Sequence, residues 1–296
     1  MATARRSVLG SRLFVGIAWG AAAALVTPPA LAWGDEGHRV VGELAWRLLD
    51  PAARAAVSEA LTDPGYESLA DAATWPDTFA RRFHEYDPMK PFHYVDVPAT
   101  ALRYVQARDC ANGCIVTALS QFIALLESRE PALSLSERRR AIYWTAHFMG
   151  DIHQPLHIAH PDGQGGNKTR LSFFDVPDKR SAHWIWDVGL LEQRPRSPGG
   201  ASGEPQPDYT ALADELGKQL SDAQLRAFQR TTSPEALANE TLAIAKRAAF
   251  LQRTDRVEAS YEKTRWPIVA TQLQKAGARL AAVLNRAFGA QPTPSR

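Results

Sequence analysis

An imidazole and a carboxylate, those of His147 and Asp151, stand four positions apart in the sequence. On a helix this spacing puts both groups on one face, one turn apart. Pro155 disfavours helical geometry at Gln154, so the chain is expected to leave its helix there and to bring His157 back toward the same point. Imidazole nitrogen and carboxylate oxygen are ligands that zinc takes in proteins. The segment therefore predicts three metal ligands from one bend of the chain.

A second pair with the same spacing, His183 and Asp187, follows further along the chain. Upstream stand three more candidate ligands: His38, Asp77 and His93. A single His-x-x-x-Asp pair is more often a surface ion pair or a capping contact. Two such pairs together with a turn histidine favour a metal centre, so we predict one multi-zinc site. The remaining histidines, His84, His153 and His160, are interpreted as ordinary surface residues or as residues that support the ligands.

Residues 1–32 have the three-part layout of a secretory signal peptide. Three arginines precede an apolar run over residues 13–26, and an A-x-A motif ending at Ala32 precedes Trp33. The run is short for a membrane span, and a retained anchor is the competing interpretation. We predict cleavage after Ala32, a single catalytic domain over residues 33–288, a disordered tail over 289–296, and a secreted or periplasmic protein.

The charge of the processed chain argues against a protein that grips duplex DNA through its phosphates. The full chain has 34 Lys and Arg against 32 Asp and Glu, and loss of the three signal arginines leaves 31 basic residues and a net charge of −1. Proteins that bind nucleic acid mainly through phosphates are usually basic. A nucleic-acid substrate would therefore have to be held locally, by metal and by base stacking.

The two cysteines, Cys110 and Cys114, flank Ala-Asn-Gly. In an exported protein this pair predicts a small loop closed by a disulfide. A thiolate metal site would need a second cysteine pair, which the sequence lacks.

Helical periodicity dominates the processed chain, so we predict an all-α fold. Predicted helices cover approximately residues 34–50, 51–61, 114–126, 182–191, 209–220, 222–228, 234–250 and 257–288, and a long helix capped by Ser134 or Ser136 carries His147. Pro267 should kink or split the last helix. Residues 71–96 are predicted to form a long functional loop, residues 171–174 a short strand of a possible hairpin, and residues 194–207 a surface excursion.

Several short motifs follow one another along the processed chain. They are Trp33-Gly34-Asp35-Glu36-Gly37-His38, Trp75-Pro76-Asp77, His93-Tyr94-Val95-Asp96, the cysteine loop, the stretch from His147 to His157, Gly165-Gly166-Asn167, the stretch from His183 to Asp187, and Ala276-Gly277-Ala278-Arg279-Leu280-Ala281. In type and order they resemble the S1/P1 nuclease family of zinc-dependent single-strand nucleases, whose superfamily also includes bacterial phospholipases C. The resemblance implies a mainly helical phospholipase C/P1 nuclease fold.

The resemblance also implies three zinc ions per chain. One would be held by Asp77, His93, His147 and Asp151, a second by the amine and carbonyl of Trp33, by His38 and by the other oxygen of Asp151, and a third by His157, His183 and Asp187. Trp33 is a ligand only if cleavage after Ala32 frees its amine; alternatively it is merely the first hydrophobic residue of the processed fold. Asp77 and Asp151 are the catalytic candidates, and the implied reaction is hydrolysis by metal-activated water that leaves a 5′ phosphate.

Substrate-binding residues are implied next to the ligands. Tyr94 would stack a base and Asp96 would hydrogen-bond its edge, and Asn167 and Arg81 complete the candidates. Stacking requires an unpaired base, which favours single strands; the alternative is that Tyr94 is an ordinary core aromatic. The chain departs from the fungal members at Ala80, where they carry a phosphate-contacting arginine, so Arg81 is only a candidate substitute. It also lacks their second disulfide, so their resistance to heat is not carried over.

We therefore predict an exported zinc-dependent endonuclease and 3′-nucleotidase that acts on single-stranded DNA and RNA. A monomer with no protein partner and no stable membrane association is expected. The alternatives are a phospholipase C-type phosphodiesterase and a non-catalytic zinc-binding protein. Asp187 argues against the first, since the phospholipase branch tends to use glutamate there, and the second predicts bound metal without turnover.

Overall fold

The computed structural model describes residues 33–128, 133–194, 196–197, 206–250 and 255–289. The predicted signal peptide and all but the first residue of the predicted tail lie outside these ranges. The α-helices are α1 Asp35–Arg47, α2 Pro51–Ala60, α3 Leu69–Ala72, α4 Trp75–Thr78, α5 Gln106–Asp109, α6 Ile115–Glu127, α7 Leu135–Asp151, α8 Ala182–Trp184, α9 Leu190–Glu192, α10 Tyr209–Lys218, α11 Asp222–Gln229, α12 Pro234–Ile244 and α13 Ala259–Phe288. Turns of 3₁₀ helix lie at Ala80–Arg82, His84–His93 and Pro155–His157, and π-helical turns lie at Ile185–Gly189 and Ala245–Ala249. The predicted all-α class is confirmed.

Helices α1, α7 and α13 form the centre of the core, and each packs against the other two. A Cβ on Gly277 would lie 2.5 Å from the Cβ of Leu44, so only glycine lets α13 approach α1 this closely. Every residue of α7 from Ala141 to Asp151 is buried. A helix buried on all sides is normally apolar throughout. His147 and Asp151 therefore lie in the protein interior, where their polar atoms need partners.

The ends of α7 follow from local sequence. Ser134 accepts a hydrogen bond from the Glu137 backbone amide, and the Glu137 carboxylate accepts one from the Ser134 amide at 2.9 Å, which is a capping box. After Ile152 the chain turns, and Gln154 is extended before Pro155. The predicted exit from the helix ahead of the proline is confirmed, and the 3₁₀ turn Pro155–His157 carries the next ligand candidate.

Two sequence-based expectations about the elements are corrected. Helix α13 runs unbroken through Pro267, so the predicted split does not occur. Pro267 and Lys263 are exposed, so the Lys263 carbonyl that loses its amide partner is open to water. The segment 71–96 is also more ordered than a loop, since it contains α4 and two 3₁₀ turns.

A small sheet of order β2-β1-β5 lies beside the helices, built from β1 Arg170–Phe173, β2 Arg180–Ser181 and β5 Arg256–Val257. Strands β1 and β2 are antiparallel, with Leu171 opposite Arg180, which confirms the predicted hairpin. Strands β3 Arg196–Ser197 and β4 Gln206–Pro207 pair within the predicted surface excursion. Strand β2 leads directly into α8, so the hairpin fixes the start of the helix that carries His183.

Two further features of the described residues are a disulfide and the character of the helices. Cys110 and Cys114 are joined by the predicted disulfide, immediately before α6. Among the described helices, none combines the length and the apolar character that a bilayer crossing requires.

Candidate metal centre

On helix α7, one ring nitrogen of His147 is already hydrogen-bonded to the backbone. Its Nδ1 lies 2.8 Å from the carbonyl oxygen of Ala73. Because a carbonyl can only accept, Nδ1 carries the hydrogen and Nε2 has a free lone pair. This Nε2 lies 3.3 Å from Oδ2 of Asp151, 3.0 Å from Nδ1 of His93 and 3.9 Å from Oδ2 of Asp77. An imidazole oriented by a backbone carbonyl is the usual arrangement of a metal ligand.

His157 and His183 are oriented in the same way. His157 Nδ1 donates to the His93 carbonyl at 2.8 Å, and His183 Nδ1 donates to the Gly165 carbonyl at 2.7 Å. Their Nε2 atoms face Asp187, at 4.0 Å from Oδ1 and 3.0 Å from Oδ2 respectively. The two rings stack with centroids 4.9 Å apart. The bend after α7 thus brings His157 against the second His-Asp pair.

Asp151 links two sides of the cluster with its two oxygens. Oδ2 lies 3.1 Å from Nδ1 of His93, and Oδ1 lies 3.3 Å from Nε2 of His38 on α1. The His38 ring stacks on His147 at 4.0 Å. A Cβ on Gly150 would lie 2.8 Å from Nδ1 of His38, so glycine is required where α1 meets α7.

All eight predicted side-chain ligands come together in three groups. Within each group the donor atoms lie within 4.8 Å of one another. The groups are His38, His147 and Asp151; Asp77, His93 and His147; and His157, His183 and Asp187. His147 belongs to two of them, which makes the first two groups adjacent. The geometry brings the predicted residues together, while their roles as ligands stay a prediction.

Trp33 lies directly beside these groups. Its side chain is fully buried, and its Nε1 donates to the Gly150 carbonyl at 2.9 Å. A Cβ on Gly37 would lie 3.4 Å from the indole and a Cβ on Gly150 would lie 3.8 Å from it, so the ring packs beside both glycines. Trp33 is therefore a buried residue of the core, just ahead of the helix that carries His38.

Burial determines the electrostatics of the centre. It raises the pKa of Asp151 to about 7 and also raises the pKa of Asp77 and Asp187. It lowers the pKa of His147 and His157 well below their ordinary value, with neighbouring histidines adding to the effect. Burial would also lower the pKa of His183, but the charge and hydrogen bond of Asp187 outweigh it and raise that pKa. With this one exception among the groups named, protein groups alone do not stabilise carboxylate or imidazolium charge here.

Unpaired polar atoms indicate what the centre accommodates. Ten buried side-chain atoms of the described residues lack a hydrogen-bond partner, and half of them belong to this cluster. They are both nitrogens of His38, Oδ1 of Asp151, Nε2 of His157 and Oδ2 of Asp187. Buried atoms without partners are costly and rare. Neutral imidazoles and carboxylates whose lone pairs face one another fit divalent cations, and zinc in particular.

Sequence reasoning missed two residues that orient the ligands. Gln154 is fully buried; its amide nitrogen donates to Oδ1 of Asp187 and its oxygen accepts from the Leu156 amide. Asp162 accepts hydrogen bonds from the amides of Gln164, Gly166 and Lys168 at 2.9 to 3.1 Å, and so shapes the loop that supplies the Gly165 carbonyl. Position at the head of a glycine-rich turn was a signal for Asp162, since aspartate favours such turns, whereas no spacing rule marked Gln154.

The three histidines set aside in the sequence differ from one another. His84 is fully exposed, and His160 is buried with Nδ1 2.8 Å from Oδ1 of Asp162. His153 is fully buried, so of its two interpretations the surface one is excluded, and the same holds for His160. Its Nδ1 donates to the Met149 carbonyl at 2.7 Å, and its Nε2 accepts from Arg279 at 2.7 Å.

A cleft of about 940 Å³ opens onto the centre, and all four predicted substrate-binding residues line it: Arg81, Tyr94, Asp96 and Asn167. The Tyr94 side chain is 49% exposed, so it is not the core aromatic of the alternative interpretation. Ala80 is fully buried, so a side chain at that position points into the core and Arg81 is the one that reaches the cleft.

Comparison with known proteins agrees with this geometry. Residues 33–289 match the family model described as S1/P1 Nuclease. Endonuclease 2 of Arabidopsis thaliana is 31% identical over 271 residues, which cover 87% of this chain and 91% of that protein. Nuclease S1 of Aspergillus oryzae is 27% identical over 273 residues, 86% of this chain and 91% of the relative. Nuclease P1 of Penicillium citrinum is 26% identical over 275 residues, 88% and 99% respectively.

Proposed function

The chain belongs to the S1/P1 nuclease family and is a hydrolytic nuclease, and from that premise we propose that it is a zinc-dependent endonuclease and 3′-nucleotidase. Its substrates are single-stranded DNA, single-stranded RNA and 3′-nucleotides, and the polymer products carry 5′ phosphates. The observation that carries the proposal is the meeting of eight imidazoles and carboxylates in three groups. Five of the eight line one cleft: Asp77, His93, His157, His183 and Asp187.

The donor set fits three zinc ions. Asp77, His93, His147 and Asp151 would hold one, Trp33, His38 and Asp151 a second, and His157, His183 and Asp187 a third. The support is the set of buried lone pairs without partners and the backbone carbonyls that fix the imidazole tautomers. Bound zinc supplies Lewis acidity toward a phosphate oxygen and lowers the pKa of water.

The chain's own residues bind and orient the nucleotide. Tyr94 offers an exposed aromatic face in the cleft, and Asp96 stands two residues on with a carboxylate for the edge of the base. Arg81 and Asn167 supply donors for phosphate from two other segments of the wall. A base can stack on Tyr94 only when it is out of a duplex, which is the reason for a single-strand preference. Asp77 lines the cleft and Asp151 is buried; as holders of the zinc ions they would be the catalytic carboxylates.

Processing completes the proposed enzyme. Removal of residues 1–32 makes Trp33 the amino terminus, and its amine becomes a donor next to His38. The export signal places the single domain over residues 33–288 in the periplasm or outside the cell.

Two measurements on the processed protein test the proposal. We expect about three zinc ions per chain by mass spectrometry and release of 5′-phosphorylated products from single-stranded oligonucleotides, with duplex cleaved more slowly. Release of choline phosphate from phosphatidylcholine without nucleotide release would support the phospholipase alternative instead. Asp151→Ala should abolish hydrolysis in a chain that still folds; bound zinc without turnover in the unaltered protein would establish a non-catalytic zinc protein.

A further inference from the structure

A second aromatic side chain, Trp184, lines the cleft at a position that the proposed function does not use. Its backbone is fixed because its amide donates to Oγ of Ser181 at 3.1 Å in the first turn of α8. Its ring meets Phe173 edge-on, with centroids 5.4 Å apart. A Cβ on Gly189 would lie 3.0 Å from the indole and 2.8 Å from Phe173, so the glycine allows this packing. The partly exposed indole is therefore held in one place at the cleft wall.

Arg180 lies over that indole, with its guanidinium carbon 5.0 Å from the ring centroid. Its backbone is fixed opposite Leu171 in the hairpin. Within the described residues it has no carboxylate partner, and its buried Nε has no hydrogen-bond partner. Two other cationic side chains of the cleft already have partners. Nζ of Lys90 lies 2.5 Å from Oδ1 of Asp87, and Arg170 donates a hydrogen bond to the Lys179 carbonyl. Arg180 therefore lines the cleft with a guanidinium that no carboxylate of the described residues holds.

The pair stands next to the reaction centre. Arg180 and Trp184 flank His183 in the chain, and His183 belongs to the third ligand group. Tyr94 belongs to a different segment, beside His93, so the cleft presents aromatic faces from two separate parts of the fold. Its volume, about 940 Å³, is at the upper end of the range for small-molecule sites. An aromatic face with a free guanidinium is the combination that binds unpaired bases and their phosphates.

We propose that Arg180 and Trp184 form a second nucleotide subsite, which binds the base and phosphate of the nucleotide that neighbours the cleaved one in single-stranded nucleic acid. The subsite rests on the proposed nuclease function for its place in the reaction. Trp184 supplies the stacking face. The guanidinium leaves its weaker contact with the ring for a phosphate, where a charge-assisted hydrogen bond is stronger.

The test measures how tightly the zinc-loaded protein binds a thymidylate octamer that carries a fluorescein label and phosphorothioate linkages. Binding is monitored by fluorescence anisotropy at a series of salt concentrations. Trp184→Ala should weaken binding roughly tenfold, which is within the range for one lost base stack. Arg180→Ala should weaken binding and reduce the slope of log K against log salt by about 0.7, the value for one phosphate contact on a single strand. Arg226→Ala, which removes an exposed charge from α11, is the matched control and should leave the salt slope unchanged.

Two additional measurements separate the possible failures. Trp184→Phe keeps a stacking ring and should bind better than Trp184→Ala, and thermal melting identifies any variant that is unfolded. Hydrolysis of the small diester bis(4-nitrophenyl) phosphate should fall much less than cleavage of a natural octamer. Unchanged octamer affinity and salt slope in both Ala variants would overturn the subsite, and so would equal losses on the small diester and the octamer. A parent protein that binds the octamer but hydrolyses neither substrate would refute the proposed function, while the binding data still decide the subsite.

Discussion

At the scale of single residues, the buried carboxylates of the centre suit a metal ion but destabilise the folded protein when no metal is bound. Asp151 is fully buried and its Oδ1 lacks a partner, and burial raises its pKa to about 7. Such a carboxylate is destabilising unless a cation neutralises it. The same argument applies to Asp187. The folded state of this protein is therefore expected to depend on its metals.

Asp151→Asn should separate function from stability. Without metal, the variant loses the charge of a buried carboxylate and should gain roughly 1–3 kcal/mol in the free energy of unfolding at pH 8. With zinc, it should lose both activity and most of the stabilisation that zinc provides. Urea denaturation with and without a chelator measures both effects. A variant less stable than the parent in chelator would contradict this account of Asp151.

Gln154→Leu tests the residue that orients Asp187. The substitution removes the amide donor from Oδ1 of Asp187, so we expect the third group to bind zinc about 10- to 100-fold more weakly. Zinc content after dialysis against a weak chelator should fall by one ion per chain. Gln274→Leu is the control, because Gln274 is also buried but bonds the Leu216 carbonyl away from the centre. Equal zinc loss in the two variants would show a general loss of stability.

At the scale of elements, α12 and α13 hold the turn that carries the ligands. Arg279 of α13 donates to Nε2 of His153 and to Glu240 of α12, each at 2.7 Å. Gln272 of α13 donates to the His153 carbonyl at 2.7 Å. His153 lies between Asp151 and His157, so these bonds fix the bend on which both ligand candidates depend.

Glu240→Gln should destabilise the protein in a pH-dependent way. Burial alone would raise the pKa of Glu240, but hydrogen bonds from Arg279 and Lys275 outweigh it and lower the pKa to about 2. Since the folded-state pKa is depressed, the ionised carboxylate stabilises the fold above its ordinary pKa of 4.5, and this contribution is lost as pH falls toward 2. We expect a loss of about 1–3 kcal/mol at pH 7 that shrinks at pH 3.

Urea denaturation of chelator-treated protein at the two pH values measures this difference without interference from metal release. Glu235→Gln, an exposed position on the same helix, is the control. A penalty for Glu240→Gln that stays constant with pH would rule out the ion pair as its cause.

Local sequence patterns predicted the helices and the ligand candidates better than they predicted the residues that hold those ligand candidates in position. The spacing of His147 and Asp151, the proline after Gln154 and the serine cap of α7 all act within one or two helical turns, so the sequence alone indicated them. Two of the three hydrogen-bond partners of His153 described above, Gln272 and Arg279, come from α13, more than a hundred positions away. The unbroken path of α13 through Pro267 likewise depends on which side of the helix faces water. Tertiary placement of this kind leaves no periodic signal.

At the scale of the whole molecule, the centre gathers donors from α1, α4, α7, α8 and the turns between them. The first two groups combine residues from distant segments, since His38 and Asp77 each meet His147, whereas the third group lies within residues 157–187. We therefore expect metal binding at the first two groups to be coupled to folding of the whole domain.

One added residue ahead of Trp33 tests the predicted role of the processed terminus. It changes no side chain, yet it converts the free amine into an amide that cannot bind metal, so we expect a strong loss of activity and one weakly held zinc ion. Activity and zinc content are compared with those of a chain extended by one residue at its carboxyl end. Full turnover in the amino-terminal extension would exclude the Trp33 amine as a ligand.

The contact between Gly277 and Leu44 ties the first helix of the domain to the last. During synthesis α1 emerges early and α13 emerges last, so a nascent chain contains all eight side-chain donors before it contains the helix that packs them together. A chain that stops before Ala259 should bind zinc far more weakly than the complete one, as measured by competition with a chromogenic chelator. Unfinished copies would then lack the metal on which the proposed nuclease activity depends.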